Sequence, residues 1–242
     1  NSKTHAEAAS LFARFDESEA ALEHSAKAEE TAKDGFRPTI ALDYFQACKS
    51  GSFALQEELK EKWLNHPDAD HLSRAPFAAL VATDDPEFIF FQNQLFSESV
   101  TLKRKTTRQS SFTSSKPNSS KIRVGYFSPD FRNHAVGHLI TDLIGSHDRE
   151  KFEIIGISIA HQSSDQYRRN FETLFDSFYA CEDMSTPELA RLANSLCLDF
   201  AIDLAGYTKG LRPLLFERIT DCIKINYLGY PGTMGAKCYN YI

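Results

Sequence analysis

The sequence predicts an α/β chain: a Rossmann-like parallel sheet over residues 121–242, preceded by an all-α segment over residues 1–100. Three observations predict it. From Lys121 onward, short apolar runs alternate with helical patterns, and that alternation builds βαβ units around a parallel sheet. Up to about Glu98 the apolar residues instead recur at helical spacing. Between the two, residues 101–120 (TLKRKTTRQSSFTSSKPNSS) are rich in Ser, Thr, Lys and Arg and lack any acid, which reads as a flexible linker or surface loop. A basic tether for nucleic acid or membrane is the weaker reading, because the stretch is short and not amphipathic.

Residues 10–32 place Leu11, Phe15, Leu22 and Ala26 on one helical stripe. The stretch from Phe15 to Leu22, followed by Ala26, resembles the second half of a tetratricopeptide (TPR) unit, where a small residue lets two antiparallel helices approach; a plain amphipathic helix looks the same. Pro38 opens a helix over 39–49, which Gly51 ends. Phe53, Leu55, Leu59 and Trp63 mark the next helix, and Pro67, Pro76 and Pro86 punctuate the chain beyond it. Asp84-Asp85-Pro86 starts a helix over 87–100. In the second part the predicted strands are 122–127, 152–159, 177–180 (short and edge-like), 200–204 and 223–228. The helices between them are 135–146, with Leu139 and Leu143 four apart, 167–175, 186–196 with Thr186 as N-cap, and 211–218.

Composition narrows the function. A length of 242 residues suggests one or two domains. The net charge of −6 argues against a general nucleic-acid binder, which needs a basic face. No run approaches the roughly 20 apolar residues of a membrane span. Residues 1–9 lack the apolar core of a signal peptide. The chain lacks an initiator Met and stops at Tyr241-Ile242 inside a predicted strand, so it reads as a fragment at both ends. Cys48, Cys181, Cys197, Cys222 and Cys238 are odd in number and form no C-x-x-C pair. They read as reduced thiols of a cytoplasmic protein, with Cys197 in the core and no metal site.

In an open parallel sheet, ligands bind beyond the carboxyl ends of the strands. Three segments come directly after strands. In Ser128-Pro129-Asp130-Phe131-Arg132-Asn133-His134, Asp130 and His134 supply a carboxylate and an imidazole for proton transfer. From position alone the competing reading, Asp130 fixing its turn and His134 capping the next helix, is the stronger. In Gly206-Tyr207-Thr208-Lys209-Gly210, glycines flank Thr-Lys so that backbone N–H groups and an ammonium can face an anion. The spacing is not that of a Walker motif, a purely structural turn is an equal alternative, and Asp203 can order it. Leu228-Gly229-Tyr230-Pro231-Gly232-Thr233-Met234-Gly235 makes a tight loop with close backbone approach. Stacked on one sheet edge, the three would form one cleft.

The segments GYFSPDFRNHAVGHL, DLAGYTKGLRP and INYLGYPGTMGAKCYNYI, in this order, resemble the catalytic region of the O-GlcNAc transferases and their SPINDLY relatives, glycosyltransferase family 41. The resemblance spans residues 121–242, and HDREKFEI looks like the bacterial-type members. It implies the N-terminal lobe of a two-lobed GT-B enzyme behind a TPR-like tail. It also implies an inverting, metal-independent transferase that moves GlcNAc from UDP-GlcNAc to Ser or Thr hydroxyls of protein or peptide acceptors. No cofactor is implied beyond the nucleotide-sugar donor. His134 matches the essential active-site histidine and Asp130 the aspartate of the same turn. Tyr207, Thr208, Lys209, Gly210, Leu228, Gly229, Pro231, Gly232 and Thr233 match loops lining the sugar side of the cleft. Ala135-Val136 stand where the animal enzymes have Pro-Thr, which alters contacts there. The nucleotide-binding lobe would come after Ile242, leaving this fragment with little activity by itself. A cytoplasmic location is implied, or a nucleocytoplasmic one in a eukaryote. Rival readings are a SPINDLY-like O-fucosyltransferase using GDP-fucose and an inactive TPR scaffold. A flavodoxin-like receiver fits the alternation but not the LGYPGTMG loop.

Overall fold

The computed structural model describes residues 6, 9, 18–30, 39–65, 76–102, 120–160, 165–212 and 214–242. The chain divides into two compact units, 1–99 and 100–242. Most of the predicted linker, and the helical stripe before residue 18, lie outside the described residues; Thr101 and Leu102, assigned to the linker, belong to a helix.

In the first unit the helices are α1 (Ser18–Glu30), α2 (Ile40–Ser50), α3 (Phe53–Leu64), α4 (Pro76–Ala82) and α5, which starts here and spans Pro86–Leu102. Gly51 ends α2 with φ of 69°, a left-handed cap that a side chain disfavours. Asp85 caps α5, its Oδ1 accepting from the N–H groups of Glu87 and Phe88. Ala41, Ala47, Ala78, Ala79 and Ala82 pack around Tyr44, Leu59 and Trp63. The sequence missed α4: Pro76 is its first residue, a position where the absent N–H costs nothing, and not merely a break.

The second unit is a five-stranded parallel sheet in the order β3-β2-β1-β4-β5, with β1 Ile122–Ser128, β2 Phe152–Ser158, β3 Ser177–Ala180, β4 Phe200–Asp203 and β5 Ile223–Asn226. Helices α6 (Ala135–Gly145) and α7 (Gln166–Leu174) pack with Val124, Tyr126, Ile154 and Leu204. Helix α8 (Thr186–Ser195) contributes Leu189, Ala190 and Ala193 to a second cluster with Phe127, Ile155, Ile157 and Ala201. Alternate side chains of β1 thus feed different clusters, which explains its nearly continuous apolar run. Arg149 fastens the far ends of α6 and α7, donating to the Ile144 and Leu174 carbonyls.

Three sequence readings are corrected. Residues 211–218 do not form the predicted helix; the described part is a run of turns. Leu215 and Arg218 N–H groups bond carbonyls three residues back, and Asn194 ends the run by bonding Arg218 O and Thr220 N. Burying the consecutive Leu215 and Phe216 with Ile219 decides that shape. The cap of α8 is Ser185, not Thr186: Glu188 accepts from both the N–H and the hydroxyl of Ser185. Cys197 is only half-buried, because its left-handed φ of 49° turns it out while Leu196 and Leu198 turn in. On α6 the buried stripe is Val136, Ile140 and Ile144, whereas Leu139 and Leu143 face outward. All five cysteines are free thiols. Among the described residues no helix is long and apolar enough to cross a membrane.

Candidate active site

The strand order reverses between β1 and β4, because β1 leads outward to β2 and β3 while β4 leads to β5 on the other side. In open parallel sheets such a switch point is where ligands bind, outside the carboxyl ends of the strands. The segments after β1, β4 and β5 therefore share one rim, and their contacts show it. A Cβ placed on Gly210 would stand 2.8 Å from Pro129 Cβ, so the β4 loop lies directly against the β1 loop. Tyr207 donates its hydroxyl to Met234 O at 2.8 Å and packs edge-on against Tyr230, joining the β4 and β5 loops.

In the β1 loop, buried Ser128 accepts the Asp130 N–H at 2.9 Å. Asp130 Oδ1 takes Arg132 Nη2 at 2.9 Å, while Oδ2 lies 3.6 Å from His134 Nδ1, beyond hydrogen-bond range. His134 is the N-cap of α6, its Nδ1 accepting from Val136 N–H at 3.2 Å. In the neutral ring the proton is then on Nε2, which bonds no described residue. In that tautomer the Nε2 N–H of His134 is a donor that no described residue accepts. Gly137 permits this entry: a Cβ there would come within 2.4 Å of Arg132 O. The turn-and-cap reading of Asp130 and His134 is therefore correct as geometry, and it leaves Nε2 without a bond to any described residue.

In the β4 loop, Asp203 is buried; Oδ1 accepts from the N–H groups of Ala205 and Gly206, and Oδ2 from the Tyr239 hydroxyl. Burial raises its carboxyl above the ordinary range against the pull of those bonds. Thr208 Oγ1 donates to Ala205 O, and Lys209 is exposed with no ion pair to a described residue. In the β5 loop, Leu228 holds a left-handed φ of 69° and Gly229 N–H closes onto Tyr227 O. Pro231 is exposed, and Gly232 and Thr233 are half-buried beside it. Of the predicted site residues in these two loops, Tyr207 alone is buried, and its contribution is to hold the loops together. An open hollow of about 690 Å³ lies elsewhere, against Asp85–Phe91 of the first unit, and contains none of them.

The family model described as Glycosyl transferase family 41 matches residues 91–242. The chain belongs to that family. It is 32% identical over 122 residues to the probable UDP-N-acetylglucosamine–peptide N-acetylglucosaminyltransferase SEC of Arabidopsis thaliana, covering 50% of this chain and 12% of that protein. It is 30% identical over 128 residues to the UDP-N-acetylglucosamine–peptide N-acetylglucosaminyltransferase of Caenorhabditis elegans, covering 52% and 11%. To the Arabidopsis thaliana protein named SPINDLY it is 23% identical over 126 residues, covering 50% and 14%. A mutant O-GlcNAc transferase of Thermobaculum terrenum shares the fold, with TM-score 0.50 and 16% identity over 99% of this chain and 52% of that one. The chain thus spans about an eighth of the length of the curated relatives it matches.

Within this family 41 lobe, sequence reasoning missed the residues that set the loops. Asp165, the N-cap of α7, reaches back to the Asn133 N–H at 2.9 Å. Tyr239 holds Asp203. Asn226, buried at the end of β5, sends its side-chain amide toward Tyr230 O at 3.4 Å. Arg168 is buried among Ser158, Glu172 and Glu182 and lies over the Phe178 ring. The Asp165 cap had a local signal, an Asp just before a helical pattern, and Asn226–Tyr230 and Arg168–Glu172 are only four residues apart, whereas the Asp165–Asn133 and Tyr239–Asp203 bonds join residues remote in sequence.

Proposed function

We propose that this chain is the acceptor-side lobe of a protein O-glycosyltransferase that moves GlcNAc from UDP-GlcNAc to Ser or Thr hydroxyls. The observation that carries the reading is the meeting, in a family 41 chain, of the β1, β4 and β5 loops at one switch point, where His134 Nε2 bonds no described residue. The names of the SEC and Caenorhabditis elegans relatives support the donor assignment, and the similarity to SEC exceeds that to SPINDLY.

The acceptor hydroxyl attacks the anomeric carbon from the face opposite the diphosphate, inverting it, without a metal. The new C–O bond forms as the bond to the diphosphate breaks, the electron pair leaves with the nucleoside diphosphate, and the hydroxyl proton passes to that departing diphosphate or to water. His134 Nε2–H holds an oxygen of the sugar or acceptor in place, and the exposed Lys209 and the loop N–H groups line the sugar side. Because Nδ1 is occupied as an acceptor, His134 serves here as a donor and not as the proton-removing base. A second lobe supplies the groups that neutralise the diphosphate. The helical unit is read as the end of a TPR-like array, and the free thiols fit a cytoplasmic location.

The test uses the complete gene product with UDP-GlcNAc or GDP-fucose and a pool of Ser/Thr peptides, read by mass spectrometry. GlcNAc transfer that is lost in His134→Ala with unchanged unfolding temperature supports the reading. Fucose transfer overturns the donor, and near-wild-type transfer by His134→Ala overturns the site.

A further inference from the structure

The His134 turn is held from outside its own loop. The Asp165 carboxylate bridges two backbone groups 35 residues apart (168 − 133): Oδ1 accepts from Arg168 N–H at 2.8 Å, capping α7, and Oδ2 accepts from Asn133 N–H at 2.9 Å. An N-cap needs only one oxygen. The second bond reaches the residue immediately before His134.

A second contact repeats the grip. Tyr167, also from α7, packs edge-on against His138 with ring centroids 4.7 Å apart, and His138 Nε2 pairs with Asn133 Oδ1 at 2.9 Å. Asn133 is therefore fastened at its backbone and its side chain to the first turns of two helices. The His134 backbone is extended, at φ −154° and ψ 154°, so a change in the direction of the Asn133 peptide swings the imidazole. The two N–H bonds hold the Asp165 carboxyl below the ordinary range, so it is ionised when it accepts them.

We propose that Asp165 is a positioning residue for transfer, fixing the direction of His134 Nε2 through the Asn133 peptide. This rests on the proposed role of His134. It does not touch substrate.

The experiment compares three variants of the complete protein: Asp165→Ser, Asp165→Ala and His134→Ala. The short Ser hydroxyl preserves the α7 cap but does not span both N–H groups; Ala removes both bonds. Each is measured for unfolding temperature and for kcat and donor KM in GlcNAc transfer to peptide. The expected result is that Asp165→Ser keeps the wild-type unfolding temperature and donor KM while kcat falls about 10- to 100-fold, the scale of a misplaced catalytic contact. If Asp165→Ser restores kcat together with stability, the residue is a helix cap only and the proposal is overturned. Should Asp165→Ser lose its fold, Asp165→Asn, which keeps one acceptor oxygen in the same shape, is scored by the same rule. If His134→Ala stays active while Asp165→Ser behaves normally, the functional reading itself has failed. If His134→Ala is inactive and Asp165→Ser normal, only the positioning role has failed.

Discussion

Replacing Gly229 with Ala puts the packing of the site under direct test. The added Cβ would lie 1.8 Å from Leu204 O and 2.7 Å from Leu204 C. An ordinary carbon–oxygen contact is about 3.3 Å, so the two segments must separate by about 1.5 Å. Neither side yields readily. Leu204 is fully buried, and its N–H is bonded to Phe127 O at 2.9 Å, which ties it to β1. Gly229 is closed onto Tyr227 O at 2.8 Å. The atoms struck are backbone, so no rotamer change relieves the clash. Overpacking of this kind costs about 3 kcal/mol, near the top of the usual range. For a domain of this size that is a fall in unfolding temperature of about 6–12 °C. The control is Gly145→Ala at the end of α6, whose Cβ would meet only Leu174 Cδ1 at 3.7 Å. There the loss of unfolded-state freedom should stabilise by about 0.4–1 kcal/mol. Both are measured by thermal unfolding under circular dichroism. A Gly229→Ala protein that melts with the wild type would refute the close approach of the β4 and β5 loops.

Three further outcomes are expected. Burial raises the Asp203 carboxyl above its usual 3.8, so the folded state holds that proton more tightly, and stability present below the ordinary value is lost as pH rises through the raised one. Asp203→Asn keeps an acceptor for Ala205 and Gly206, so urea titrations from pH 4 to 7 should show wild type losing ground to the variant as pH rises; a constant gap would contradict this. Removing Arg168 strands Glu182, whose side chain is 12% exposed, and should cost about 3–5 kcal/mol, whereas the double variant with Glu182→Gln should recover part of it. Equal losses in single and double variants would show that the pair is not coupled. Ser185→Ala should lower stability by about 0.5–1 kcal/mol and raise amide exchange at the start of α8, with α6 unaffected as the internal reference.

The parallel strands and three of the four intervening segments were legible because burial on both faces forces continuous apolar runs, and helices with one buried face carry their period in the chain. The segment 211–218 was misread because its apolar residues have helical spacing, while their packing selects successive tight turns. Thr186 and Ser185 both have capping side chains, and only the reach of Glu188 chooses between them. Cys197 looked internal between two leucines until a left-handed backbone turned it outward.

For the site, the order of residues along the chain was enough to tell which side chains stand at the strand ends and which glycines admit close backbone approach, since both depend on local pattern and steric size. It could not tell which strands are neighbours. The order β3-β2-β1-β4-β5 sets the β1 loop beside the β4 loop, although their strands are separated by β2 and β3 along the chain. Nor could it show that Asp165 holds Asn133, that Tyr239 holds Asp203, or that the Tyr207 hydroxyl is directed to Met234. Those bonds join residues distant in sequence, and they exist only once the buried strands have fixed where each loop leaves the sheet.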